Sequence, residues 1–163
     1  MTKDHIMSTY QDRNMILISH RGNLNGPSKE ENHPEHIIKA VNAGFDVEID
    51  VWVINNDYFL GHDEPRYKTN VDFLSNDRFW CHAKNADALC KMIEDSIHCF
   101  WHANDDASIT SRGHIWCNPG KHFKNSIMVD FGAPRDLDPS EIKGICTDIP
   151  LLWKERYETI LEE

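Results

Sequence analysis

The sequence predicts an α/β fold built on a mainly parallel sheet. Two observations lead there. Eight short apolar runs of strand type are spread over the 163 residues, most of them separated by helical segments or turns; that alternation is what a parallel sheet with crossover connections requires. Polar residues, histidine above all, gather at the ends of those runs, where a parallel α/β sheet carries its working side chains. The length predicts one domain, 1–163. A hydrophobic content of 40% with 27% charged residues suits a globular chain rather than a disordered one.

Residues 1–13 are polar and read as a flexible, frayed end, with no apolar run of the kind a secretory signal needs. Met15–Ser19 is the first strand and leads into His20-Arg21-Gly22. Residues 23–31 read as a loop. Asn32 then caps a helix with Glu35 at the third position, Ile37, Ile38 and Val41 share its apolar face, and Gly44 ends it. Phe45–Val53 alternates apolar and mostly acidic residues, the clearest period-two strand in the chain. Asn55-Asn56-Asp57 turns it back into Tyr58–His62. Phe79–Lys84 is the next strand, and Asn85 caps a helix with Leu89, Met92 and Ile93 on one face. His98–Ala103, His114–Cys117, Ser126–Phe131 and Lys143–Asp148 are the remaining strands. Residues 151–163 form a closing helix. Trp52, Trp80, Trp101 and Trp116 lie in strands and are expected to pack in the core.

With 17 Lys and Arg against 27 Asp and Glu, the formal charge is −10. Such a chain suits neither a nucleic-acid backbone nor an anionic membrane surface, and no apolar stretch is long enough to span a bilayer. The five cysteines are odd in number and include no Cys-x-x-Cys pair, which points to reduced thiols and a cytoplasmic setting.

Glu48 and Asp50 are two apart on a strand and so share a face. Two carboxylates side by side repel unless one is protonated or a cation lies between them, and oxygen ligands of this kind suit Mg²⁺ or Ca²⁺. The competing explanation is an exposed polar face on an antiparallel strand. His20 and His62 have the chemistry of an acid–base pair near neutral pH, and Arg21 offers a planar fork for a phosphate.

Taken in order, His20-Arg21-Gly22, Glu31-Asn32, Glu48-x-Asp50, His62-Asp63, Lys84 and the closing Thr147-Asp148-Ile149-Pro150 resemble the glycerophosphodiester phosphodiesterase family. The resemblance runs from Ile16 to Pro150, although residues 90–132 carry little of it. It implies a (β/α)8 TIM barrel of the PLC-like phosphodiesterase type over residues 15–150. It also implies His20 and His62 as the catalytic pair, Arg21 and Lys84 as phosphate-binding groups, and Glu48 and Asp50 as ligands of Mg²⁺, Ca²⁺ or Mn²⁺. Glu31, Asn32 and Asp63 are implied at the rim or in support, with Asn32 capping the helix after it.

The chain departs from the family where a further carboxylate commonly stands two residues before the strand-four lysine. Here that residue is His82, which faces the same side as Lys84 and is a candidate ligand that would soften the site. His102, Asn104, Asn118 and Asp130 are lesser candidates on later strands; for His102 and His114 core or loop hydrogen bonding is the stronger reading. The expected substrate is a small phosphodiester of the glycerophosphodiester or lysophospholipid type, with a sphingomyelinase D-like phospholipase as a close variant. A barrel that only binds phosphorylated small molecules, and an ordinary α/β domain, are the competing classes. Because about 250 residues are usual for such a barrel, the length implies trimmed helices between Asn104 and Lys143. The flank left bare is expected to be covered by a second copy in a homodimer.

Overall fold

A computed structural model of the chain describes residues 15–162. The expected frayed segment at 1–13 lies outside the described residues. Ten strands form one mixed sheet that curls into a half-barrel, accompanied by four short helices. This overturns the expected (β/α)8 barrel: the described chain is mostly β, and helix and strand do not alternate.

In chain order the elements are β1 (Ile16–His20), α1 (Pro34–Asn42), β2 (Asp46–Ile54), β3 (Asp57–Leu60), β4 (Tyr67–Thr69), α2 (Val71–Leu74), β5 (Phe79–Ala83), α3 (Ala86–Glu94), β6 (Cys99–Phe100), β7 (Ala107–Ile109), β8 (Ile115–Cys117), β9 (Ser126–Val129), β10 (Ile142–Thr147) and α4 (Pro150–Glu162). Seven strands run parallel in the spatial order β6-β5-β2-β1-β10-β9-β8. The hairpin partners β3, β4 and β7 are antiparallel. Among the described residues no helix occurs between Glu94 and Pro150, so the parallel connections from β8 to β9 and from β9 to β10 carry none of the helices that a barrel would place there.

Local chemistry accounts for the elements. The turn between β2 and β3 uses Asn55 and Asn56, both at positive φ (49° and 68°), the left-handed pair that a tight two-residue hairpin demands and asparagine tolerates. Asn85 caps α3 by accepting from the Ala88 N–H at 3.0 Å, and its amide also donates to the Val53 carbonyl at 2.9 Å. Helix α1 starts one residue later than expected. His33 is the cap, its ring nitrogen accepting from the Glu35 N–H, and Pro34 takes the first turn. Asn32 cannot cap, because it sits at φ +62° and its amide is committed to Asp50. The strands β4 and β7 are not expected from the sequence because three residues are too few for a period of two to stand out.

The alternation in β2 is the feature that places the site. Val47, Ile49 and Val51 face α1 and α3 and pack with Ile37, Ala40, Phe79, Ala88 and Met92. Glu48 and Asp50 face the inside of the curl, and they too are buried, at 3% and 0% exposure. Beyond these carboxylates and the histidines beside them, the inner face is filled by Ile18, Trp80, Phe100, Trp116, Ile127 and Cys146 from six strands. A third cluster, Met128, Ile142, Ile145 and Trp153, is held under α4. Trp101 does not pack in the core as expected: it is 42% exposed. Trp52 is half-buried and donates its indole N–H to the Gly61 carbonyl at 2.7 Å. All five cysteines are free, and among the described residues no helix is long and apolar enough to cross a membrane.

Candidate functional site

Sheet register assembles the site. His20, at the end of β1, lies opposite Glu48 of β2, and Asp50 lies opposite His82 of β5. Lys84 follows on the same side of the β5 line, and Asp148 follows β10. Neighbouring parallel strands thus bring His20, Glu48, Asp50 and His82 onto one ridge, although they come from segments tens of residues apart in the chain.

Asp50 is the centre of the ion-pair network. Its carboxylate receives the His82 Nδ1 at 3.2 Å and the Asn32 amide at 2.9 Å. Arg21 Nε stands 3.2 Å away and Lys84 Nζ 3.8 Å away. Burial alone would raise its pKa, but the His82 hydrogen bond and the charges of Arg21 and Lys84 outweigh that and hold Asp50 well below the usual carboxylate range. Glu48 moves the opposite way. Burial raises its pKa, and the charge of Asp50 raises it further. The two carboxylates are therefore driven apart: one is a permanent anion, while the other has strong affinity for a proton or a cation.

His20 is held by Asp148. The ring Nδ1 donates to Asp148 Oδ1 at 2.7 Å, since a carboxylate can only accept. That leaves Nε2 turned toward Glu48 Oε2 at 3.8 Å. Burial would lower the pKa of His20, but the Asp148 bond and the Glu48 charge prevail and raise it. Phe131 closes one side, its ring 5.0 Å from that of His20.

Asn23 joins the two halves of the ridge. Fully buried, its amide donates to both Asp148 Oδ1 and Glu31 Oε1 at 2.9 Å. Glu31 in turn accepts from Arg21 at 3.0 Å. The sequence reading missed Asn23, placed in a loop, and gave Asp148 no role. The available signal was the position of Asp148 just after the last strand, as Arg21 follows β1 and Lys84 follows β5.

The structure brings His20, Arg21, Glu31, Asn32, Glu48, Asp50, His82 and Lys84 together. His62 and Asp63 stand apart from that network. The His62 side chain is 41% exposed and its Nδ1 bonds to Asp63 Oδ1 at 2.8 Å. Both line a hollow of about 200 Å³ whose other walls include Glu31, Asn32 and Gly61, so the hollow abuts the ridge through the two residues that hold Arg21 and Asp50. His102 stacks on His82, ring centroids 4.6 Å apart. Asn118 bonds to the Asp105 carbonyl and Asp130 pairs with Arg135 at 2.6 Å, while Asn104 is exposed; none of the three joins the ridge. His114 accepts from Lys143 at 2.7 Å.

A divalent cation fits the residues present. One ligand atom each from Glu48, Asp50 and His82 can be chosen so that all lie within 4.8 Å of one another. Glu48 Oε2 is buried without a hydrogen-bond partner, a costly state for a carboxylate oxygen unless something positive reaches it. A larger hollow of about 530 Å³ shares Phe131 with the site and is walled by Met128, Val129, Leu137 and Ile142 together with Arg135 and Lys121.

No family model, no curated protein and no solved structure matches this chain.

Proposed function

We propose that the protein is a metal-dependent phosphodiester hydrolase acting on small substrates of the glycerophosphodiester or lysophospholipid type. The observation that carries this reading is the convergence of His20, Arg21, Glu48, Asp50 and Lys84 from three adjacent parallel strands and the residues that follow them. A phosphodiester is anionic and resists attack by an anionic nucleophile, so positive groups and neutral bases are what its hydrolysis needs.

Glu48 and Asp50 would hold a divalent cation, Mg²⁺ or Ca²⁺ on the family resemblance, which when bound neutralises charge on the phosphoryl group. Arg21 and Lys84 supply fixed positive charge beside it. Asp148 fixes the proton of His20 on Nδ1 and so leaves Nε2 as the base. His62, which lines the smaller hollow, would protonate the leaving alkoxide once substrate fills that space. The apolar wall beyond Phe131 suits an acyl or alkyl portion of the substrate. A cytoplasmic setting and a homodimer formed over the helix-poor flank belong to the same reading, supported by the free cysteines and by exposed Phe123 and Phe131.

The test is hydrolysis of bis(p-nitrophenyl) phosphate by purified protein, with and without Mg²⁺, Ca²⁺ or Mn²⁺. Metal-dependent turnover that disappears in His20→Ala is expected; an inert wild type with every metal refutes the reading. One observation favours a second reading, a phosphate-binding module without catalysis. Arg21 spends its guanidinium on Glu31 and Asp50, and His62 stands away from the ridge. An inert protein whose His20→Ala variant binds a phosphodiester as wild type does would establish that alternative.

A further inference from the structure

We infer that this site takes a nitrogen-accepting transition-metal dication, Mn²⁺ or Zn²⁺, through His82, in preference to Mg²⁺ or Ca²⁺. The inference deepens the proposed function and rests on its placing a cation at Glu48 and Asp50.

His82 is built into the ligand group and is not a neighbour of it. It occupies the register position opposite Asp50, and its Nδ1 is turned to both carboxylates, 3.2 Å from Asp50 Oδ1 and 3.9 Å from Glu48 Oε1. The ring has little freedom to leave. Its side chain is 14% exposed, and it is stacked at 5.1 Å on Phe100 and at 4.6 Å on His102, both nearly parallel to it. Any cation that reaches both carboxylates therefore meets an imidazole nitrogen.

Imidazole is a poor ligand for hard Mg²⁺ and Ca²⁺, which take oxygen, and a good one for first-row transition metals. A further observation points to an occupant: the Glu48 Oε2 atom is buried and accepts no hydrogen bond.

The experiment uses the full chain, freed of metal with a chelator and titrated with Mn²⁺, Zn²⁺, Mg²⁺ and Ca²⁺ by calorimetry. Pulsed EPR of the Mn²⁺ form reads directly coordinated nitrogen in the wild-type protein, so that result does not depend on any variant folding. Expected are a ¹⁴N coupling on Mn²⁺, one tight Zn²⁺ or Mn²⁺ equivalent, loss of that equivalent in Glu48→Gln, and a preference over Ca²⁺ that narrows by about tenfold or more in His82→Glu. Absence of the nitrogen coupling, an unchanged preference in His82→Glu, or tight binding that survives Glu48→Gln overturns the inference. Phosphodiester hydrolysis with Mg²⁺ and no nitrogen coupling would leave the hydrolase reading standing and remove this one. Tight, nitrogen-coordinated Mn²⁺ with no hydrolysis of bis(p-nitrophenyl) phosphate would do the reverse.

Discussion

His20 and Asp148 are 128 residues apart and joined by a 2.7 Å hydrogen bond from Nδ1 to Oδ1. The bond exists because β1 and β10 are parallel neighbours, with Ser19 in register with Thr147. It sets the tautomer of His20 and raises its pKa. Asp148→Asn keeps the shape and removes the charge, so the imidazole loses the partner that orients it. If the protein hydrolyses phosphodiesters, turnover is expected to fall by about 10²-fold or more, the scale of one acid–base group. Steady-state kinetics on bis(p-nitrophenyl) phosphate, with circular dichroism to verify folding, checks it.

Asn32 is committed to Asp50 in both directions. Its amide donates to Asp50 Oδ2 and its carbonyl oxygen accepts from the Asp50 N–H, each at 2.9 Å. Asn32→Ala leaves the buried Asp50 N–H without its partner, removes one of the bonds that the Asp50 carboxylate accepts, and puts alanine at a φ that asparagine tolerates better. A loss of about 3 kcal/mol is expected, read as a fall in the urea midpoint with an unchanged slope.

His62 and Gly61 are neighbours with opposite expectations. His62 is exposed, so His62→Ala should change stability by less than about 0.5 kcal/mol while removing activity if it is the acid. Gly61 has φ +151°, and a Cβ there would meet the Glu64 carbonyl oxygen at 2.0 Å. Gly61→Ala must move the turn that carries His62 and should cost at least about 2 kcal/mol. Thermal melts of the two variants side by side make the comparison.

His98 governs part of the acid stability. It is buried at the opposite end of the sheet, bonded to the Phe79 carbonyl and the Thr110 hydroxyl. Burial, with the nearby charge of Arg112, lowers its pKa from 6.5 to about 4. As pH falls, the unfolded chain therefore takes up this proton first. The stabilisation is complete above pH 6.5 and is lost progressively toward pH 4, about 2–3 kcal/mol in all. His98→Gln should flatten the stability curve over that window in denaturant titrations at several pH values. An equally steep fall in the variant would assign the effect to other groups.

Much of the site was legible as a pattern. His20, Arg21, His82 and Lys84 stand at or near the ends of apolar runs and Glu48 and Asp50 alternate with apolar residues within one, and the sequence shows that directly. Asn23 and Asp148 were not assigned, because their partners lie on other strands and no local spacing encodes them. The helix start was misread by one residue because Asn32 has cap chemistry, and only its contact with Asp50 shows that the amide is used elsewhere. His62 matched a motif, yet it lines a hollow beside the ridge and its ring bonds to Asp63 rather than to the network.

By itself the sequence determined where the strands run and which side chains share a face. The period of two puts Glu48 and Asp50 together, and likewise His82 and Lys84, whatever the fold. The tertiary structure alone decided that this polar face is the inside of a curled sheet, that helices cover only part of the outside, and that the first and last strands are neighbours. The physical reason is range. Alternation, caps and turns depend on residues within a few positions, whereas burial and convergence depend on strand register between segments up to 128 residues apart, and on how far the sheet coils before its apolar inner face is filled.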